Sequence, residues 1–236
     1  MKGVIYGVGV GPGDPDLITV KAVRIIQSSD LIGIPAKTAE SCTAYRIALQ
    51  AVPEMAQKPV IAVPVPMTED RTRLNACYEE GSRRLAEQLE QGKRIAFLNL
   101  GDPTVYGSFM EIHRRLREAG YESEIVSGVP SFCAAAAALG VPLGSGREEI
   151  HILPGLSGPE GAMEYKGNRI VMKAGRGMGE LKDRLLEASG RGELTACAVT
   201  DCGMETEKRF SSPEEFPEKE GYFTTVLIRE NRDGGV

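Results

Sequence analysis

Between Gly7 and Pro15 the chain reads Gly-Val-Gly-Val-Gly-Pro-Gly-Asp-Pro. Glycines at this density let a backbone approach a ligand, or another backbone, closely. A helix starting just beyond them would offer free N–H groups and a positive dipole end to an anion. The spacing is not that of a dinucleotide fingerprint. Pro12 stands where the third glycine should follow Gly7 and Gly9, and Asp14 where it should follow Gly9 and Gly11. Asp30 falls about 20 residues on, but it precedes the second strand, and no Gly-x-x-x-x-Gly-Lys-[Ser/Thr] occurs. The alternative to a ligand-binding loop is a tight strand-to-helix turn that holds no ligand. A second constellation, Leu100-Gly-Asp-Pro-Thr-Val-Tyr106, follows a strand. Asp102 there accepts a proton, fixes a water or orients a cation, or it simply makes an Asx-turn before Pro103. Further segments are Ser127–Phe132, Val171-Met-Lys-Ala-Gly-Arg176, Thr200–Lys208 and Tyr222-Phe-Thr-Thr225. Lys173 is either a surface residue or a cation suited to a carboxylated ligand, and Cys202, with no histidine near it in sequence, reads as an inert thiol.

The elements that must position these residues alternate. Strands are expected at Val4–Val10, Leu31–Ile34, Val60–Val63, Arg94–Leu98 and Ser123–Val126. Helices are expected at 19–28, 41–51, 75–91 and 108–119, the last opened by a capping box of Ser108 and Glu111. Alternation with short connections implies an open parallel sheet covered on both faces. Ligands bind outside the carboxyl ends of such strands. The second half reads differently. An alanine-rich helix (131–139), with Ser131 as N-cap, precedes strands at 150–153, 170–172, 195–199 and 222–229. Helices fall at 178–188 and 213–216, the latter with Ser212 as N-cap and Pro213 at N1. The reading is therefore α/β with two domains, 1–128 and 129–236: a parallel five-stranded sheet, then a mixed one. The chain from Asn231 on is polar and glycine-rich, a frayed tail.

Composition narrows the function. The 236 residues carry 42% hydrophobic and 26% charged side chains, enough to bury a core without disulfides or metals. The net charge of −5 argues against an overall nucleic-acid footprint. Five cysteines with no Cys-x-x-Cys fit a reducing cytoplasm, and two separated histidines offer no zinc site. No 18-residue apolar run suggests a membrane span, and the N-terminus is not a signal peptide.

In order, GVGVGPGDPDLITVKAVRIIQSSDLI, FLNLGDPTVYGSF, IVSGVPSF, IVMKAGR and CGMETEK resemble the tetrapyrrole methylases. These are the class III methyltransferases dependent on S-adenosylmethionine. GPGDP with LITVKAV, GDPTVYGSFM and the YFTTVLI ending look most like the subgroup that methylates C20 of precorrin-2 or cobalt-factor II in cobalamin synthesis. The resemblance implies two α/β domains with a ligand cleft between them, a homodimer, and no protein-bound metal. It implies that S-adenosylmethionine is held by Leu100, Gly101, Asp102, Val105, Tyr106, Ser131, Phe132, Met172, Cys202, Gly203 and Thr225. It places Gly9, Gly11, Pro12, Gly13 and Asp14 on the side of the tetrapyrrole. Pro130 departs from the serine or threonine of many relatives.

Methyl transfer from a sulfonium to an electron-rich meso carbon is in-line displacement, helped mainly by alignment and desolvation. Asp102, Lys173 and Tyr222, at loop ends, are the expected acid, base or water-orienting groups. Arg71, Arg73 and Arg176 are the expected partners of the substrate carboxylates. The competing readings are methylation of C11 or C17 of a later corrin, a protein methyltransferase like diphthine synthase, and a non-catalytic anion-binding module.

Overall fold

The computed structural model describes residues 2–231 apart from 67, 69, 156 and 157. Its contacts divide into two compact units, Met1–Pro130 and Ser131–Val236.

The first unit holds β1 (Val4–Gly9), α1 (Val20–Ser28), β2 (Leu31–Ile34), α2 (Thr43–Ala51), β3 (Val60–Ala62), α3 (Arg71–Glu90), β4 (Ile95–Asn99), α4 (Phe109–Glu118) and β5 (Glu122–Val126). The five strands are all parallel, in the order β3-β2-β4-β1-β5. Every residue of β1, β2 and β4 is buried, as expected of apolar runs covered on both faces. From β1 the chain crosses beyond β4 to β2, and from β4 it crosses beyond β1 to β5. Right-handed crossovers in opposite directions set α1 and α4 on opposite faces. The carboxyl ends of β1 and β4 are thus the switch point of the sheet. On the α3 and α4 face, Phe97, Phe109, Leu85, Leu89 and Ile112 are fully buried. Each contributes about 1.5–3 kcal/mol. Gly7 leaves room for the Phe109 ring, which any Cβ there would strike.

The second unit holds α5 (Ser131–Leu139), β6 (Ile150–Pro154), α6 (Gly158–Glu164), β7 (Asn168–Met172), α7 (Met178–Gly190), β8 (Leu194–Thr200), β9 (Lys208–Phe210) and β10 (Thr224–Glu230). Its sheet runs β6-β7-β10-β8-β9. Only β6 and β7 pair in parallel, so the sheet is mixed. Met178, Leu181 and Leu185 of α7 pack on Ala196, Ala198, Val226 and Ile228, with Phe216 closing the cluster. The helix α5 lies against β8 and β10.

Several local expectations are corrected. The helix expected at 75–91 starts at Arg71, because the Asp70 carboxylate accepts from the N–H groups of Thr72 and Arg73 and caps it four residues earlier. Ser108 makes no cap bond; its φ and ψ are already helical, and Glu111 pairs instead with Arg114 and Arg115. Ser131 opens α5 as its first helical residue. Residues 213–215 form a single 3-10 turn with no side-chain cap bond from Ser212. Tyr222 precedes β10, which begins at Thr224. The helix α6 and the charged three-residue β9 were not foreseen. Of the expected tail, residues 232–236 lie outside the described residues.

Candidate active site

At the carboxyl end of the first sheet the glycines pack backbone on backbone. Gly11 and Gly101 form a two-way bridge: Gly101 N–H donates to the Gly11 carbonyl at 2.8 Å, and Gly11 N–H returns a bond at 3.4 Å. Both residues have positive φ, +80° and +68°, where only glycine is unstrained. A Cβ on Gly9 would lie 2.6 Å from the Gly101 oxygen and the Gly128 nitrogen. A Cβ on Gly128 would overlap the same Gly101 oxygen and lie 2.8 Å from Gly9. Three loops, after β1, β4 and β5, are therefore knit at the switch point.

Asp102 is the polar half of this knot. It is 7% exposed. Oδ1 accepts from the N–H (2.8 Å) and the hydroxyl of Thr104, and Oδ2 accepts from Gly128 N–H (3.0 Å). The Asx-turn is thus real, and the carboxylate also ties the β4 loop to the β5 loop. Leu100, Val105 and Tyr106 stand on the loop this clamp shapes. Tyr106 has φ 52° and is 49% exposed, a large aromatic surface for a flat ligand. Backbone strain in a non-glycine residue at a loop tip marks functional positions.

The glycine loop does not lead straight into a helix. Pro12 and Gly13 are buried. Asp14 accepts from Asp16 N–H at 2.9 Å and starts a 3-10 turn, Pro15–Leu17. The Thr19 hydroxyl then caps α1 by accepting from Ala22 N–H. The expected row of free helix N–H groups beside the glycines is corrected accordingly: a turn intervenes, and one of those donors is already taken.

Arg71 and Arg73 lie in the first turn of α3. At 3.6 residues per turn they point about 200° apart. Arg73 lines a pocket of about 220 Å³ at the ends of β2 and β3, which Arg71 does not reach.

In the second unit, Met172, Lys173, Cys202, Gly203, Tyr222 and Thr225 all fall at one end of the sheet. The register explains it: Met172 faces Thr225 and Thr200 faces Thr224 across antiparallel pairs. Thr200 and Thr224, both buried, share a hydroxyl–hydroxyl bond of 2.9 Å, and the Thr224 hydroxyl donates to the Gly221 carbonyl. Lys173 has φ 60°, with Nζ 5.6 Å from the centre of the Tyr222 ring. Asp201 has φ 51° and accepts from the Thr206 hydroxyl. Non-glycine residues thus take left-handed backbone at the ends of both β7 and β8. The loop after β8 is held by Glu207, which accepts from Gly203 N–H (2.6 Å) and pairs with Arg209; Arg209 in turn donates to the Ala138 carbonyl at the end of α5. These bonds, the Gly203 N–H foremost, hold the Glu207 carboxyl below its usual range. Ser131 and the buried Phe132 open α5, whose first-turn N–H groups the helix itself cannot satisfy. The Arg176 backbone lies in the turn Ala174–Gly177, but its side chain is outside the described residues.

Sequence reasoning missed Gly128, Thr104 and Glu207 as site-building residues. Gly128 and Glu207 both sit inside quoted motifs, but their partners are set by packing. Among the described residues no three His, Cys, Asp or Glu side chains gather at metal-binding distance, and no helix is long and apolar enough to cross a membrane.

Comparison with known proteins agrees with this architecture. A probable cobalt-precorrin-2 C(20)-methyltransferase of Methanocaldococcus jannaschii is 33% identical over 86% of this chain and 85% of its own length. A precorrin-2 C(20)-methyltransferase of Sinorhizobium sp. is 30% identical over 96% of this chain and 95% of its own. The X-ray structure of a cobalt precorrin-4 methyltransferase superposes with a TM-score of 0.72 at 20% identity, covering 96% of this chain and 94% of that one. The family model for Tetrapyrrole (Corrin/Porphyrin) Methylases matches residues 4–216. The chain belongs to this family, whose members transfer methyl groups from S-adenosylmethionine.

Proposed function

We propose that this protein methylates C20 of precorrin-2 or of cobalt-factor II in cobalamin synthesis. One observation carries the reading: two relatives that bear this activity in their names align with it at 30% identity or more over at least 85% of each chain.

Within this reading, the residues that hold S-adenosylmethionine are those the resemblance implies: Leu100, Gly101, Asp102, Val105, Tyr106, Ser131, Phe132, Met172, Cys202, Gly203 and Thr225. The donor set suits the group. An exposed aromatic ring matches adenine, and the first-turn N–H groups of α5, which the helix itself cannot satisfy, match a carboxylate. When bound, S-adenosylmethionine supplies an electrophilic methyl on a sulfonium. The chain's own task is alignment and exclusion of water. Asp102, with three donors on its carboxylate, positions the β4 loop and is not the base. The proton leaving the methylated carbon goes to a water that Lys173 Nζ and Tyr222 Oη, neighbours at the end of the second sheet, orient. The glycine loop stands on the tetrapyrrole side, and the enzyme works as a homodimer.

The test is anaerobic incubation with S-adenosylmethionine and, separately, precorrin-2 and cobalt-factor II. Products are read by mass spectrometry and the methyl located by NMR. One methyl at C20 of either substrate is expected. A methyl at another carbon, or none on either substrate despite tight binding of S-adenosylhomocysteine, overturns the C20 assignment.

A further inference from the structure

The pocket at the carboxyl ends of β2 and β3 has a lining that neither the glycine knot nor the candidate cofactor residues explain. Pro35 follows β2, Pro64 and Pro66 follow β3, and Arg73 and Cys77 face it from α3. Arg73 and Cys77 are four residues apart, hence on one helix face. Ala36, Lys37 and Val65 complete the lining. Three prolines give a stiff apolar wall without backbone donors. The charged donors are therefore Lys37 Nζ and the Arg73 guanidinium. Among the described residues neither is paired with a carboxylate. By contrast, Arg83 on the same helix is bound by Glu80 and Glu87.

The volume, about 220 Å³, is below the ~300–1,000 Å³ of pockets that enclose a whole drug-sized ligand. It suits one edge of something larger: an apolar ring slotted between prolines with carboxylates reaching two cations.

We infer that this pocket anchors one carboxylated pyrrole edge of the tetrapyrrole through Lys37 and Arg73. The inference rests on the tetrapyrrole reading above and adds Lys37 as a specificity-determining residue. Arg71, on another face of α3, has no part in it.

The test is direct binding of uroporphyrin III, an octacarboxylate that accepts no methyl here, followed by fluorescence quenching. The proteins are wild type, Lys37→Gln, Arg73→Gln, the double variant, and Lys21→Gln on α1 as a charge-matched control. All three positions are exposed, so folding is undisturbed. Each pocket variant is expected to weaken binding about tenfold or more, as for loss of a hydrogen bond to a charged group. Lys21→Gln is expected to have little effect, and Lys37→Arg to retain most of the affinity. With a methylatable substrate the double variant is expected to raise KM with kcat little changed. A double variant that binds uroporphyrin III like wild type, a Lys21→Gln loss of equal size, or a wild type that binds none overturns the inference. Pocket-dependent binding without methyl transfer to either substrate refutes the C20 reading and leaves the anchor standing. Methyl transfer at C20 with KM unchanged in the double variant does the reverse.

Discussion

Replacing Asp102 separates a clamp from a base. In Asp102→Ala three donors lose their acceptor. Thr104 is exposed, so water takes up its two donors at a cost of about 0.5–1 kcal/mol each. Gly128 N–H is half-buried against Gly9 and Gly101, and its bond to a charged oxygen is worth about 1.5–3 kcal/mol. The loss is about 3 kcal/mol, which lowers Tm by about 6–12 °C in a chain of this size. Asp102→Asn keeps an oxygen toward Thr104 but turns an amide donor toward the Gly128 donor, so about half the loss remains. Scanning calorimetry measures the Tm, titration calorimetry the affinity for S-adenosylhomocysteine, and a methyl-transfer assay the turnover. In both variants, affinity and turnover are expected to fall together, with Asn milder than Ala. A catalytic base would behave otherwise: Asn as inactive as Ala, with stability and cofactor affinity intact. An Asp102→Ala Tm within about 2 °C of wild type refutes the clamp.

Gly128→Ala places a methyl against the Gly101 oxygen and Gly9 backbone. It is expected to cost about 1–3 kcal/mol, seen as a lower urea midpoint together with weaker S-adenosylhomocysteine binding. Thr224→Val leaves the buried Thr200 hydroxyl and the Gly221 carbonyl short of a partner, for a loss of about 1–3 kcal/mol in denaturant unfolding. The Glu207 carboxyl titrates below its usual range in the folded state. Its contribution is therefore complete above the ordinary carboxylate range and is lost as pH falls through the depressed value. The stability gap between wild type and Glu207→Gln is expected to be widest near pH 7 and to close in acid; a gap independent of pH contradicts the assignment.

The parallel strands were legible because β1, β2 and β4 are unbroken apolar runs, and their alternation with helices leaves few topologies. Boundaries slipped where one capping side chain decides. Asp70 starts α3 early, and Ser108 looks like a cap while already lying in helical conformation. The glycine motif was legible as a demand for close approach, but not its partner. Gly9, Gly101 and Gly128 come from three distant segments, and no local pattern records that they touch. The clamp by Asp102 was open for the same reason, since the Asx-turn to Thr104 is local and the bond to Gly128 is not. Arg71 and Arg73 looked equivalent until the helix turned one away. The strand β9, three residues mostly charged or exposed, carries no periodic signal at all.

The position of β1 between β4 and β5 also sets the order of assembly. Ile5 lies beside Ile95, and Val4 beside Glu122. β1 leaves the ribosome some ninety residues ahead of β4 and has no neighbour over that interval, and it is not flanked on both sides until β5 is out. At about 5–20 residues per second, that is on the order of ten seconds of exposure for a fully apolar segment. Long-range parallel pairing is slow even then. A nascent chain halted after β3 holds neither neighbour of β1, and that strand is the natural target for a holding chaperone.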